Sequence, residues 1–266
     1  MSSKKRGFFT MKKENIAAQL FCFRDFIKTP QQVDETFGKL RSIGYRQVQL
    51  TTALPQELSV GQLKKLLAKH GLTAISAHER SEIIFDTPEK VIDKMHALGI
   101  THVAYPWPHI TPADYSAAVG FARKLNELAL LFKENSITLA YHNHAREFVR
   151  FGGKTMLEII YDNAPELAAE IDTFWVHAGG GSPEKWVRRT AGRMEYLHVK
   201  DYGMAKMDDA PVMMPVGYGN LDWNAIITAA GETGVRYFIV EHDNHVTDPF
   251  DSFDKSYRYL SENFAE

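Results

Sequence analysis

The sequence predicts a single-domain (β/α)8 barrel of the α/β class, on three observations. Short β-type runs alternate with amphipathic stretches along the 266 residues, the pair recurs eight times, and Gly44, Gly71 and Gly99 each close a helical stretch just before the next strand run. Eight βα units in roughly 250 residues suit such a barrel. No shift in composition and no linker divides the chain. A doubly wound open sheet fits less well, because no glycine-rich phosphate loop follows the first strand run.

Taken in order, "NIAAQLFCF" is the first strand and "TPQQVDETFGKLRSIG" the first helix, with Thr29 as cap, Pro30 in the first turn and Gly44 at the end. The second pair is "RQVQLTT" with "SVGQLKKLLAKHG", and the third "TAISAH" with "TPEKVIDKMHALG". "THVAYPW" leads into a long helix over 112–134, and "ITLAYHNH" into "GKTMLEIIYDNAP". "LAAEIDTF" with "SPEKWVRRTAG", "MEYLHVKDY" with "DWNAIITAAGETG", and "YFIVEHD" with "DPFDSFDKSYRYLSENF" complete the set. Segment 201–221 is too long for a simple turn and has the length of a lid or binding loop. Within it Gly217 and Gly219 permit tight backbone, and Asn220 or Asp222 is placed to cap the helix from Trp223.

Charge is nearly balanced at −2, without the basic field that nucleic-acid binding favours. One cysteine, Cys22, allows neither an intrachain disulfide nor a Cys-rich zinc site, which suits a reducing cytoplasm. Residues 1–14 read as a disordered extension without an apolar signal core, with Met11 as an alternative start, and 15–266 as the catalytic barrel. No run is long and apolar enough to span a membrane.

Chemistry in a barrel of this kind sits at the C-terminal ends of the strands. There the fifth run offers His142 and His144, the sixth Asp172, the seventh His198 and Lys200, and the eighth Glu241. Side chains alternate along a strand, so His142 shares a face with His144, and His198 with Lys200. Singly, each has an ordinary explanation as a satisfied polar residue or a helix cap. In register on four consecutive strands, they bring two imidazoles and two carboxylates to one mouth, a donor set for Mn, Zn, Co or Fe(II) rather than Ca. Such a metal polarises a carbonyl or hydroxyl oxygen.

"YHNH", "EIDTFW", "LHVKD", "VGYGNLDW" and "FIVEHD", in that order, resemble the xylose-isomerase-like TIM barrels. That sugar phosphate isomerase/epimerase superfamily includes inosose dehydratases, inosose isomerase and D-tagatose 3-epimerase. The resemblance runs from about Ile16 onward. It implies metal ligands at Asp172, His198 and Glu241, and at position 142, where the epimerases carry glutamate and this chain carries histidine. One of the two metal-bound glutamates of a symmetric epimerisation is therefore missing, and "YHNH" is closer to the branch with dehydratase-like members.

What the resemblance implies is a metal-dependent sugar or cyclitol isomerase or epimerase working through a metal-stabilised enediolate. The alternative is a lyase or dehydratase that expels a β-leaving group from the same intermediate. Glu241 is the first choice of base. Lys200 is the second, provided burial lowers its pKa, with a salt bridge to Asp201 or another rim carboxylate as the ordinary alternative. His144 is the third. The family's substrate-contacting histidine, three residues after the strand-six aspartate, is Trp175 here, with His177 nearby as a partial replacement. The expected partner is a small carbohydrate, with no nucleic acid or membrane, and analogy with relatives suggests a homo-oligomer.

Supporting positions are His78, as a hydroxyl contact or an ordinary rim histidine, and Trp107 and Phe21, as apolar walls for a sugar ring. Gln19 and Gln49 point into the mouth or form a polar plug. Arg146 and Glu147 pair with each other or orient His144, and Glu147 is a fallback ligand.

Overall fold

The computed structural model describes residues 10–207, 209–244 and 248–266. Among them eight parallel strands close a barrel in chain order: β1 (Ile16–Gln19), β2 (Gln47–Leu50), β3 (Thr73–His78), β4 (His102–Tyr105), β5 (Thr138–His142), β6 (Ala168–Asp172), β7 (Tyr196–Val199) and β8 (Tyr237–Val240), with β8 bonded back to β1. The architecture is the (β/α)8 barrel that the alternating runs predict, with its helices outside. No helix among the described residues is long and apolar enough to cross a membrane.

The helices begin where side-chain oxygens satisfy free backbone N–H groups. Thr29, Ser59 and Thr155 each open one with a capping box, and Asp222 accepts from the Ala225 N–H at 3.0 Å. Some boundaries differ from the sequence pattern for local reasons. β1 stops at Gln19 because its Oε1 accepts the Phe21 N–H at 3.1 Å and turns Leu20–Phe23 into a 3-10 helix. The long fourth-unit helix starts at Tyr115, because the Asp114 carboxylate caps it through the Ala117 N–H at 2.8 Å.

At the N-terminus, residues 1–9 of the expected extension lie outside the described residues. Met11 is buried, and its backbone pairs with the C-terminal end: its N–H donates to the Phe264 carbonyl at 2.8 Å. Ordered packing thus reaches back to Met11.

The barrel interior is tiered. Ala17, Tyr196, Tyr237 and Ile239, with half-buried Ile75, form an apolar floor separate from the main core between barrel and helices. Above it lies a polar layer in which Gln19 Nε2 donates to Gln49 Oε1, and Gln49 Nε2 donates to Ser76 Oγ at 2.9 Å and to Glu170 Oε2 at 3.0 Å. A register shift between Val48 and Gln49 sets Gln49 opposite Ser76 and makes this layer possible. Gln19 and Gln49 are thus the plug, not the mouth.

Segment 201–221 is held rather than loose. It carries an antiparallel hairpin, Asp201–Gly203 against Val212–Met214. The buried Asp201 carboxylate accepts from the N–H groups of Tyr202, Gly217, Gly219 and Leu221 and from Trp223 Nε1. A Cβ on Gly219 would lie 2.4 Å from Asp201 Oδ1, so only glycine lets the chain come this close.

Two helix-terminal glycines allow a test of packing against backbone strain. Gly44 has φ +133° and a Cβ there would lie 2.5 Å from the Tyr257 ring, whereas Gly99, at φ +75°, faces open space. Gly99→Ala should cost about 1–2 kcal/mol of backbone strain alone, and Gly44→Ala clearly more. Thermal melts of the two variants should rank in that order, and equal losses would rule out the Tyr257 collision.

Candidate active site and metal centre

Parallel pairing puts the strand ends level. Asp172 lies opposite His198, and His198 opposite Ile239, two residues before Glu241. Inward-facing side chains from β5 to β8 therefore converge. Ligand-type atoms of His142, Asp172, His198 and Glu241 all lie within 4.8 Å of one another, and all four residues are buried.

The individual distances define the centre. His142 Nε2 stands 4.0 Å from Asp172 Oδ2 and 4.0 Å from Glu241 Oε2, and His198 Nδ1 is 2.8 Å from Glu241 Oε2. Lys200, fully buried, places Nζ 3.4 Å from Asp172 Oδ2, 3.3 Å from Glu241 Oε2 and 2.8 Å from Asp243 Oδ2. Two donor atoms that share an ion at about 2.1 Å sit roughly 3–4 Å apart, which the two His142 separations match, while His198 and Glu241 stand at hydrogen-bond distance.

Asp172 divides its carboxylate between two tasks. Oδ1 accepts the Trp175 N–H at 2.9 Å and caps the helix Thr173–Ala178, while buried Oδ2 has no hydrogen-bond partner and faces the centre. A buried carboxylate oxygen without a hydrogen bond is costly when ionised, and Lys200 Nζ at 3.4 Å offsets part of that cost. Thr173 fixes the neighbouring strand end, its Oγ accepting the Lys200 N–H at 2.9 Å.

Electrostatics follow from packing charges out of water. Burial raises the Asp172 pKa to about 7, with Glu241 adding to the effect and Lys200 opposing it. Burial opposes charge on His198, but Glu170 and Glu241 lift its pKa to about 10. His142 falls to about 3 through burial and the neighbouring His198. His144 is lowered too, by burial and then by His142. Burial would raise Glu241, yet Lys200 and His198 hold it well below the usual carboxylate range.

Lys200 departs from expectation. Burial does lower its pKa, but Asp172, Asp243 and Glu241 outweigh that and raise it above the usual lysine value. The condition for a basic lysine is not met, because three carboxylates surround the ammonium. Asp201 is not among them, since its oxygens are taken by the hairpin.

Above the centre a cavity of about 290 Å³ opens to solvent, its lining including Phe21, His78, Trp107, His144, Arg146 and Glu241. His144 stacks near Trp175 at 5.2 Å, and Trp175 in turn lies under the Lys200 ammonium at 5.2 Å. Trp175 is thus a support behind the wall.

His177 is not brought to the site. It is exposed and packs on Tyr202 at 4.4 Å, because five residues of helix after Asp172 rotate it to the far side. Glu147 is not a ligand either. Its Oε1 accepts the Tyr141 hydroxyl at 2.9 Å and its Oε2 the His144 N–H at 3.0 Å, so it orients the loop that carries His144, while Arg146 stays exposed.

Two site residues escaped the sequence reading. Glu170, fully buried, lies beneath the centre among three histidines, and Asp243 pairs with Lys200. The signal for Glu170 was its position two residues before Asp172, on the same strand face. Nothing local marks Asp243, which lies beyond the end of β8.

The family model described as xylose isomerase-like TIM barrel matches residues 37–263. A comparison with the curated proteins yields no match. Among solved structures, a sugar phosphate isomerase/epimerase from Parabacteroides distasonis superposes with TM-score 0.77 at 19% identity, covering 100% of this chain and 98% of its own. A probable 3-DHS dehydratase from Bacillus anthracis gives 0.71 at 14%, covering 95% and 100%. A xylose isomerase-like TIM barrel protein from Mycobacterium smegmatis, in complex with magnesium, gives 0.70 at 18%, covering 93% and 95%. Likeness at such identities establishes the shared fold.

Burial lifts the Glu147 pKa to about 7. The folded chain therefore keeps a proton that the unfolded chain releases near the ordinary glutamate value of about 4.3. Between those values the folded state binds more protons, so this group's contribution to stability falls as pH rises. In denaturant titrations at pH 5 and pH 8, Glu147→Gln should lose less stability than wild type over that interval, by on the order of 1–3 kcal/mol. Equal losses would show that Glu147 ionises normally.

Proposed function

The chain belongs to the xylose isomerase-like TIM barrel family, and from that premise we propose that it is a divalent-metal-dependent isomerase or epimerase of a sugar or cyclitol, acting through an enediolate. The observation that carries this reading is the buried convergence of His142, Asp172, His198 and Glu241, with Asp172 Oδ2 making no hydrogen bond and facing Lys200 Nζ at 3.4 Å. Two nitrogen and two oxygen donors suit Mn, Zn, Co or Fe(II), and the magnesium complex of a structural neighbour is in keeping with a metal in this fold. When bound, the cation supplies positive charge beside a substrate carbonyl and so acidifies the adjoining C–H.

The remaining work falls to the chain's own groups. Glu241 lines the cavity and is held ionised by Lys200 and His198, as a base must be. Lys200 stays an ammonium and keeps positive charge beside the developing negative charge. His144, kept neutral by burial, faces the cavity and exchanges hydrogen bonds with a substrate hydroxyl. His78 and Trp107 border the same space, where a ring stacks and its hydroxyls bond.

With histidine at 142, the strand-five position lacks the second glutamate of a symmetric epimerisation, and Glu241 is the metal-site carboxylate that lines the cavity. A single base that carries a proton between adjacent carbons on one face performs isomerisation, whereas inversion of one carbon needs access from both faces. The isomerase is therefore the better fit of the two. A second reading, a carbon–oxygen lyase, rests on Glu241 as a base in the cavity with no second glutamate at position 142, and a probable 3-DHS dehydratase among the structural neighbours is in keeping with expulsion of water or a glycoside oxygen.

NMR in deuterated water, with metal-loaded protein and a panel of ketoses and keto-cyclitols, tests both. Deuterium at the α-carbon with mass retained identifies the isomerase, and loss of water or aglycone the lyase. Glu241→Gln should slow exchange on the order of 10²–10⁴-fold. Absence of exchange across the panel with Mn, Zn, Co and Fe(II) in turn would defeat the enediolate mechanism.

A further inference from the structure

Directly below the four converging residues, β6 carries Glu170, whose side chain is fully buried. It is surrounded by ring nitrogens. Glu170 Oε1 lies 2.5 Å from His78 Nε2, 2.9 Å from His198 Nε2 and 3.5 Å from His142 Nδ1, and Oε2 accepts from Gln49 Nε2 at 3.0 Å. His142 and His198 each have two ring nitrogens, and in both rings it is the one away from Asp172 and Glu241 that turns to Glu170. Both far nitrogens are buried and make no formed hydrogen bond, and the Glu170 carboxylate is the charged group beside each.

An imidazole can offer a lone pair from one nitrogen only when its proton sits on the other, and a carboxylate beside the far nitrogen holds the proton there. We infer that Glu170 is the positioning residue for both imidazoles: one carboxylate fixes the ring orientation and holds the far-nitrogen proton of His142 and His198, so that His142 Nε2 presents a lone pair to a cation, and His198 Nδ1 does so once the cation displaces the proton it now shares with Glu241 Oε2 at 2.8 Å. This inference rests on the metal centre proposed above. The three rings are mutually close, with centroids 4.5 Å apart for His142 and His198 and 4.8 and 5.2 Å from each of them to His78. A shared acceptor at their centre is what lets them pack this way. The Gln49, Gln19 and Ser76 layer beneath fixes the acceptor in turn, so strands that contribute no ligand support the one glutamate that orients two of them.

Two measurements on the full chain test this. In ¹H–¹⁵N spectra of the zinc-loaded wild type, protected ring N–H signals are expected at His142 Nδ1 and His198 Nε2. Protons at His142 Nε2 or His198 Nδ1 instead would overturn the inference. In Glu170→Gln, whose amide offers a donor where the carboxylate accepted, zinc and manganese affinities measured by calorimetry should fall about 10–100-fold. Affinities within threefold of wild type, with unchanged ring signals, would likewise overturn it.

If the wild type itself takes up neither metal, the metal-dependent reading fails rather than this one. Spectra of the metal-free chain then decide the role of Glu170. Loss of protection at the two far nitrogens in Glu170→Gln supports it, and retention refutes it.

Discussion

Everything at the barrel mouth depends on neutralising charge that water cannot reach. Glu170, Asp172, Glu241 and Lys200 are all buried, Lys200 Nζ lies within 3.4 Å of Asp172 and Glu241, and His198 links Glu241 to Glu170. An isolated buried charge is heavily disfavoured, and a buried pair is tolerated only when geometry and further hydrogen bonds compensate the lost hydration. Here compensation is collective. Lys200 serves three carboxylates, and His198 lies between two, with Glu241 on one nitrogen and Glu170 on the other. One acceptor, Asp172 Oδ2, makes no hydrogen bond and meets Lys200 Nζ only at 3.4 Å, so it is the oxygen a further cation would share.

The fold supplies what such a cluster needs, namely rigidity from below. Apolar rings of Tyr196 and Tyr237 fill the barrel floor, and the glutamine layer above them converts an apolar base into a hydrogen-bonded support for Glu170. The supporting residues come chiefly from the first three strands and the reactive ones from the last four. The halves of the chain thus hold different duties, support and chemistry, and meet across the barrel axis. Around the rim, Asp201 gathers five N–H donors and ties the long hairpin to the end of β7, so that the loop nearest Lys200 is anchored by the residue next to it.

Much of this was legible in the chain. Glycine-closed helices and eight repeats define the barrel, and strand alternation alone groups His142, Asp172, His198 and Glu241. Local periodicity failed where helix rotation or longer-range partners decide. Trp175 and His177 look equivalent as residues following Asp172, yet the helix turns one behind the cavity wall and the other to solvent. For Lys200 the sequence left two readings open, and the structure shows the salt bridge, with Asp172, Glu241 and Asp243 as partners, none of them near it in sequence. Glu170 was passed over because a glutamate in mid-strand looks like an ordinary inward polar residue until its three histidine neighbours are known.

The sequence by itself determined the order of elements, the facing of each strand and the identity of the donors, because these follow from the twofold alternation of strands and the caps of helices. Only the tertiary structure decided which donors share one charge environment: that Asp172 splits its carboxylate between a helix and the centre, that Lys200 is an ammonium among acids, and that Glu170 faces both imidazoles from beneath. Those outcomes turn on distances of a few ångströms between residues far apart along the chain, where Coulomb energy and desolvation vary steeply, and no local pattern encodes them.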